Sequence, residues 1–198
     1  MLKKIEKLPE WLAESAEGNL GTLWQIVKAY RANRRQGTVG VKTRAMVRST
    51  GKKPYEQKKT GGARRGSFVS PLHVGGGVAH GPKARDYRQA LPEKMAHQAL
   101  RLALAKRVQA GLVFEGNLAV ESGKTKDAAA ILKSIFTGVG KVIVCLSEPS
   151  EMTIRAYRNI RGVILVSPGQ LTAIDVMESR HLVVAPAALS AVQTRLAK

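Results

Sequence analysis

The stretch Val142-Ile143-Val144-Cys145-Leu146 decides the fold class of this 198-residue chain. It is a run of five apolar residues, three of them β-branched, and such short runs are typical of a strand that is buried on both faces. Strands of this kind belong to parallel sheets, whose neighbouring strands are joined by long crossover connections that are usually helical. We therefore expect the sequence on both sides of this run to alternate between helix and strand.

That alternation continues away from the run in both directions. Toward the C-terminus we predict helix over 151–159, strand over 162–166, a short helix over 171–177, strand over 181–184 and a closing helix over 186–196. Toward the N-terminus we predict helix over 126–136, strand-like runs over 118–120 and 112–114, and a helix that begins at Leu91-Pro92-Glu93 and stops at Gly111. The pattern predicts an α/β class, with a single globular domain whose largely parallel sheet is flanked by helices.

The N-terminal residues divide into a clear helix and an ambiguous start. Apolar residues recur at three- and four-residue steps from Leu20 to Tyr30, which predicts a helix over 19–34. Residues 1–18 leave two alternatives open, a short helix with Pro9 near its start or a tether. Several glutamates in this region argue against a signal or transit peptide.

Between these flanks lies a segment of different composition, residues 37–88, which we name the basic arm. Residues 31–88 carry fifteen basic and two acidic side chains, and the arm contains ten of the nineteen glycines, one leucine and no isoleucine. Neither hydrophobic period persists there for more than a few residues. We predict a long extended loop that is mobile in isolation and acquires structure against an anionic partner. The predicted organisation is thus 1–36 and 89–198 as the globular domain, with 37–88 as the loop.

The whole chain has a formal net charge of +19 and a pI of about 10.6. A charge of this size favours polyanionic partners, nucleic acid first and an anionic membrane surface a distant second. The single cysteine cannot form an intrachain disulfide or build a structural zinc site alone. No apolar run approaches the roughly 20 residues of a membrane helix, so we expect no membrane partner.

No candidate catalytic motif in the sequence has the residue spacing that its chemistry requires. Gly123-Lys124-Thr125 matches the end of a phosphate-binding loop, but the first glycine of that motif would fall at Leu118. Cys145 lies in an apolar run and is expected to be a small buried hydrophobe rather than a nucleophile. No spacing supports a catalytic triad or a carboxylate pair. We predict that the chain is not an enzyme, with no catalytic residue, no cofactor and no metal.

The four histidines also favour a role other than metal binding. His73 and His80 lie in the basic arm without a cysteine or carboxylate cluster, so we interpret them as polar side chains that stack on RNA. His97 and His181 are expected to occupy ordinary structural positions in a helix and at the start of a strand.

The basic arm combines the residue types that bind single-stranded or folded RNA. Lysine and arginine neutralise phosphates, aromatic rings stack on unpaired bases, and glycine lets the backbone approach both. The predicted RNA-binding residues are Arg34, Arg35, Lys42, Thr43, Arg44, Arg48, Lys52, Lys53, Tyr55, Gln57, Lys58, Lys59, Arg64, Arg65, Ser67, Phe68, His73, His80, Lys83, Arg85, Tyr87 and Arg88.

Several runs in this part of the chain match a known family pattern. They are Ala32-Asn33-Arg34-Arg35-Gln36-Gly37-Thr38, Gly51-Lys52-Lys53-Pro54, Gln57-Lys58-Lys59-Thr60-Gly61-Gly62-Ala63-Arg64-Arg65-Gly66-Ser67, Gly75-Gly76-Gly77-Val78 and Gly81-Pro82-Lys83-Ala84-Arg85-Asp86-Tyr87, followed by Lys124-Thr125-Lys126 and Arg158-Asn159-Ile160. In these runs the chain resembles the universal large-subunit ribosomal protein of the L-four family, in its bacterial or organellar form.

The resemblance implies a structural constituent of the large ribosomal subunit that binds large-subunit ribosomal RNA and supports early assembly. It implies an α/β domain at the solvent side and a loop whose tip lines the nascent-peptide exit tunnel beside the L-twenty-two family protein. It also implies a cytoplasmic or organellar ribosome as the location, and no homo-oligomer. The tunnel-side tip would comprise Lys52, Lys53, Tyr55, Gln57, Lys58, Lys59, Thr60, Gly61, Arg64 and Arg65. The alternative is a regulatory RNA-binding module that acts outside the ribosome, for example on its own messenger RNA.

Overall fold

Helices and strands alternate through the C-terminal half of the chain in a computed structural model that describes residues 2–5, 7–13, 17–135 and 140–197. The described residues form five strands and seven helices. In chain order these are β1 (Lys3–Lys4), α1 (Glu10–Ala13), α2 (Leu20–Asn33), α3 (Glu93–Gln109), β2 (Val113–Glu115), α4 (Thr125–Leu132), β3 (Val142–Cys145), α5 (Glu151–Arg158), β4 (Val163–Val166), α6 (Ala173–Glu178), β5 (His181–Val184) and α7 (Pro186–Ala197).

The strands form one sheet in the order β1-β2-β5-β3-β4. β2, β5, β3 and β4 are parallel to their neighbours, and β1 joins β2 at the edge in the antiparallel direction. Val142 of β3 is in register with Val163 on one side and His181 on the other. The central position of β3 confirms the prediction made from its β-branched run, and the α/β class with a largely parallel sheet is confirmed with it.

Both faces of β3 are buried, and each belongs to a different core. Val142 and Val144 pack into a cluster with α4 and α5, whereas Ile143 and Cys145 pack into a larger cluster with the other helices. All four side chains are at most 2% exposed. Because each face of the strand meets a helical layer, the sequence of β3 shows no alternation of apolar and polar residues.

The long helix α3 begins and ends at the predicted signals. Pro92 is its N-cap residue and Ala110 its C-cap. Gly111 follows with a φ of +68°, a left-handed conformation that favours glycine. There the Gly111 N–H donates to the Val108 carbonyl at 2.8 Å and the Leu112 N–H to the Arg107 carbonyl at 3.0 Å. This pair of bonds is the Schellman arrangement, which satisfies carbonyls that the helix leaves without partners.

Two sequence-based predictions in this half of the chain are wrong. Residues 118–120 form no strand, because the backbone N–H and carbonyl of Val120 bond the hydroxyl of Thr153, at 3.2 and 3.3 Å. The side chains of Leu118 and Val120 are buried all the same, in the cluster of α4 and α5. The helix predicted over 126–136 ends at Leu132, and Phe136 lies outside the described residues.

The N-terminal residues contain a short helix and a short strand. The helix Glu10–Ala13 begins just after Pro9 and buries Leu12, which decides between the two alternatives in favour of the helix. The strand Lys3–Lys4, which the sequence did not predict, extends the sheet beside β2. Two exposed lysines carry no hydrophobic pattern, so only the backbone pairing with β2 identifies this strand.

The chain divides into two compact units. The first, which we name the globular unit, is Met1–Arg31 with Gln89–Lys198, and the second unit is Ala32–Arg88. The sheet and both hydrophobic clusters belong to the globular unit. The second unit contains the basic arm.

Two buried ionisable groups make the globular unit sensitive to alkaline pH. Burial raises the pKa of the Cys145 thiol to about 11 and the pKa of the Tyr157 phenol to about 12. The Tyr157 hydroxyl is buried and has no hydrogen-bond partner among the described residues. Both groups stay neutral in the folded chain at pH values where the unfolded chain ionises them, so stability falls as the pH rises past their ordinary pKa values.

Replacing Tyr157 by phenylalanine is expected to stabilise the globular unit. Near pH 8 the Tyr157→Phe variant should unfold with a free energy about 1 kcal/mol higher than the original chain, because a buried hydroxyl without a partner is removed. At pH 11 the difference should grow by about 1.4 kcal/mol, since only the original chain loses stability through this phenol. Urea unfolding at the two pH values measures the difference, and equal differences would contradict this account.

Candidate nucleic-acid interface

The second unit has almost no buried surface of its own. Of residues 32–88, all of which the structure describes, Gly77 is the one that is buried. Apart from the last two residues of α2, this range contains no helix or strand. The predicted lack of regular structure is confirmed. Without an apolar core, the unit obtains its shape from local hydrogen bonds and ring contacts rather than from hydrophobic burial.

The two halves of the basic arm run alongside each other in opposite directions. Three backbone hydrogen bonds connect them, from the Arg85 N–H to the Gly37 carbonyl at 3.0 Å, from the Val41 N–H to the Pro82 carbonyl at 3.1 Å, and from the Val78 N–H to the Lys42 carbonyl at 3.0 Å. These bonds hold the two halves of the arm side by side.

Gly77 lets the two halves approach each other closely. A Cβ atom added at this position would lie 2.2 Å from the Arg44 nitrogen and 2.6 Å from the Arg44 Cα, both backbone atoms of the opposite half. A distance of that size requires one half to move away. Glycine is therefore needed at position 77 for contact between the halves, and the Gly77 N–H donates to the Val69 carbonyl at 2.9 Å.

The Gly77→Ala variant is expected to open this contact. The hydrogen bond from the Val78 N–H to the Lys42 carbonyl should be lost, so the Val78 amide should exchange with solvent roughly tenfold faster. Gly51→Ala is the matched control, because a Cβ at position 51 meets nothing within 4 Å. Amide exchange by NMR measures both variants. Unchanged exchange at Val78 in Gly77→Ala would contradict the proposed close approach.

Aromatic residues of the arm contact cationic groups within the same unit. The guanidinium carbons of Arg35 and Arg85 lie 3.7 and 4.5 Å from the centre of the Tyr87 ring. A hydrogen bond from Arg85 lowers the pKa of the Tyr87 hydroxyl, and the charges of both arginines add to this effect. This group of side chains joins the two halves at the base of the arm. Stacking of Tyr87 on a base stays a prediction.

His73 forms the centre of a second cluster. Its ring meets the edge of Phe68 with centroids 5.4 Å apart, and its Nδ1 lies 2.9 Å from an Arg65 guanidinium nitrogen. Its backbone N–H donates to the Ser70 carbonyl and its carbonyl accepts from the Gly76 N–H. These contacts bring together three of the predicted RNA-binding residues. His80 is exposed and has a φ of +51°.

The predicted tip folds back on itself. The Tyr55 hydroxyl donates to the Ala63 carbonyl, and the Lys53 ammonium donates to the Gln57 side-chain carbonyl at 2.6 Å. Tyr55 and Arg65 line an open pocket of about 410 Å³ with Thr60, Gly62 and Ala63 between them. The structure therefore brings three of the ten predicted tip residues, Tyr55, Thr60 and Arg65, together around this pocket.

Positive charge covers this unit. Its fourteen lysines and arginines are all exposed, as the structure describes every residue of the unit. The nine cations between Lys42 and Arg65 form no ion pair with a carboxylate within the described ranges. Groups of like charge at this density repel one another, and an anionic partner relieves that repulsion. The exposed cations are therefore available to phosphate groups.

Outside the arm, His97, His181, Cys145 and Arg107 contact other residues of the globular unit. His181 begins β5 and meets the edge of Phe114, and burial lowers its pKa. His97 lies 3.9 Å from Glu93 on α3, and Cys145 is buried in the core. Arg107 of α3 donates to the carbonyls of Val176, Met177 and Ser179 at the end of α6.

The described ranges contain no group of histidine, cysteine or carboxylate side chains that could hold a metal ion. None of the helices in those ranges is long and apolar enough to cross a membrane.

Comparison with known proteins identifies the family. Residues 12–195 match the Ribosomal protein L4/L1 family. The chain belongs to this family. The chain is 42% identical over 177 residues to the Large ribosomal subunit protein uL4 of Mycobacterium sp. (strain KMS), covering 88% of this chain and 80% of that protein. It is also 42% identical over 175 residues to the protein of the same name from Mycobacterium tuberculosis (strain ATCC 25618 / H37Rv), covering 87% and 78%.

Membership of the L4/L1 family confirms the resemblance predicted from the basic arm. The match extends through the globular unit to residue 195, so it includes much more of the chain than the arm. The family consists of structural ribosomal proteins, and the prediction that the chain is not an enzyme is confirmed on that ground.

Proposed function

We propose that this chain is a structural constituent of the large ribosomal subunit and binds large-subunit ribosomal RNA through the basic arm. The observation that carries the proposal is the set of exposed cations between Lys42 and Arg65, which lack carboxylate partners within the described ranges. The assignment to the large subunit rests on the relatives named Large ribosomal subunit protein uL4. In this proposal residues 37–88 are the RNA-binding loop, and 1–36 and 89–198 form the domain that carries it.

Binding in this proposal is electrostatic first and geometric second. Lysine and arginine displace the counterions that surround the RNA backbone, which supplies affinity without sequence preference. Backbone amides, hydroxyls and rings then fix the register of the protein on the folded RNA. The residues that we propose for these contacts are those predicted from the sequence, from Arg34 to Arg88.

The tip residues from Lys52 to Arg65 are proposed to line the nascent-peptide exit tunnel. The support is their position in one small exposed loop between the paired halves of the arm. We also propose that the L-twenty-two family protein is the neighbour at the tunnel and that the chain binds early in subunit assembly. Each subunit would contain one copy, in the cytoplasm of a bacterium, as the mycobacterial relatives suggest.

Sedimentation after a high-salt wash tests this function against the regulatory alternative. A tagged copy of the chain, expressed in its source cell, should migrate with large subunits in stoichiometric amount and remain with them in the washed fraction. A regulatory RNA-binding module would instead leave the subunits and sediment with messenger RNA or as free protein. That result would contradict the proposal.

A further inference from the structure

A half-buried histidine, His181, stands at the start of β5, the middle strand of the sheet. It is in register with Val142 of β3, and its ring meets the edge of the Phe114 ring on β2 with centroids 5.6 Å apart. Val183, two residues further along the strand, packs into the cluster of α4 and α5, so the His181 ring faces the same side of the sheet. The proposed RNA contacts of the basic arm do not involve this side chain.

One nitrogen of this ring is buried without a hydrogen-bond partner. Among the described residues, none bonds the Nδ1 atom of His181. In the neutral ring the proton can reside on Nε2, so that Nδ1 is a bare acceptor. The imidazolium form carries a proton on both nitrogens, and Nδ1 then becomes a charged donor that is buried with no acceptor. A missing partner costs more for a charged group than for a neutral one, so this position favours the neutral ring.

Cations predominate around the start of β5. The charged side chains of the surrounding elements at this end of the sheet are Lys4 of β1, Arg107 of α3, Lys133 after α4, Lys141 before β3, Arg158 of α5, Glu178 of α6 and Arg180. The Glu178 carboxylate lies 3.5 Å from Arg31 and 3.7 Å from Lys141. Burial of the ring, together with the charges of Arg180 and Arg107, lowers the pKa of His181. A proton added to the ring therefore increases the repulsion among groups of like charge.

Two backbone hydrogen bonds flank His181 and hold the start of β5 against its neighbours. The Arg180 N–H donates to the Lys141 carbonyl ahead of β3 at 2.7 Å, and the Leu182 N–H donates to the Leu112 carbonyl ahead of β2 at 3.0 Å. Because His181 lies between the two donors, repulsion at its ring acts directly on the attachment of β5 to both neighbouring strands.

We propose that His181 is an acid-sensitive switch, whose protonation opens the start of β5 away from β2 and β3 while the rest of the globular unit stays folded. Opening exposes Nδ1 to water, which supplies the missing hydrogen-bond partner. Below the ordinary histidine pKa of 6.5 the open state therefore binds more protons than the closed state, and opening becomes easier as the pH falls. Above that value both states carry a neutral ring, and the start of β5 stays closed.

Amide exchange in the full chain, without RNA, tests this switch. Between about pH 7.5 and 5.5 the protection factors of the Arg180 and Leu182 amides, corrected for intrinsic exchange, should fall about five- to tenfold. The His181→Gln variant should show no such fall, because glutamine does not titrate. His97→Gln, which removes a histidine of α3, is the matched control and should behave as the original chain does.

A further variant separates the histidine from the nearby carboxylate. In Glu178→Gln the fall in protection should persist, because the proposed switch does not use the Glu178 pairs. Loss of the fall in Glu178→Gln, an equal fall in His181→Gln, or unchanged protection in the original chain would each overturn the proposal.

A direct titration keeps the test independent of how the variants fold. Circular dichroism at pH 7.5 verifies the fold, and where His181→Gln is unfolded, His181→Phe takes its place and keeps an aromatic ring against Phe114. NMR of the imidazole nitrogens in the original chain follows the proton itself. The His181 ring should titrate below pH 6.5, and titration at or above that value would contradict the proposal.

Discussion

A chain in which residues 42–81 are replaced by a short Gly-Ser linker should bind large-subunit ribosomal RNA at least roughly a thousandfold more weakly than the full chain. The replacement removes nine of the fourteen cations in the second unit. Val41 and Pro82 are hydrogen-bonded to each other at 3.1 Å, so a short linker can join them. The globular unit contains the sheet and both hydrophobic clusters and should retain its fold.

A second variant distinguishes the loss of charge from the loss of length. It keeps residues 42–81 and replaces the nine lysines and arginines by glutamine. If the cations supply most of the affinity, this variant should lose nearly as much as the shortened chain. Fluorescence anisotropy with labelled RNA measures both, and thermal unfolding verifies the fold. RNA affinity that survives in both variants would show that the arm is not the principal contact.

RNA binding by the full chain should depend steeply on salt. If the arm neutralises about six to ten phosphates, the affinity should fall by roughly three to five orders of magnitude between about 50 and 200 mM salt. The physical reason is that each bound phosphate releases condensed counterions, and added salt opposes that release. Equilibrium binding at five or more salt concentrations gives the slope of log affinity against log salt concentration.

The variant with nine glutamines is the control for this slope. Its slope should be much smaller than that of the full chain, since the phosphates that it neutralises are fewer. A shallow slope for the full chain, equivalent to one or two phosphate contacts, would contradict an electrostatic mechanism. A steep slope that is identical in the glutamine variant would place the contacts outside the arm.

The parts of the fold that could be predicted from the sequence are those whose pattern is local. The β-branched run at Val142–Cys145 identified the central strand, and Pro92 and Gly111 marked the ends of α3. In each case the signal and the structure lie within a few residues of each other. Local patterns of this kind need no knowledge of the rest of the chain.

The errors occur where distant residues decide the structure. Lys3–Lys4 is a strand because β2 lies beside it, and two lysines carry no hydrophobic pattern that reveals this. Residues 118–120 have the composition of a strand, yet Thr153 of α5 bonds their backbone instead. Tertiary contacts of this kind override local propensity.

The candidate site could likewise be predicted only in part from the sequence. Composition alone predicted the charge of the basic arm and its lack of regular elements. It did not predict that Arg35 and Arg85 contact the ring of Tyr87, or that Gly77 brings the two halves together. Nor did it reveal that Lys124 and Arg158 share a pocket, because they come together only when α4 and α5 pack.

The central claim, that the basic arm binds folded large-subunit ribosomal RNA, is tested most directly by mapping RNA nucleotides that the protein protects from hydroxyl radicals. With the full chain we expect a discrete set of protected nucleotides, most of which lose protection when the nine cations between Lys42 and Arg65 become glutamine. A protection map that is the same for the full chain and the glutamine variant would contradict the claim.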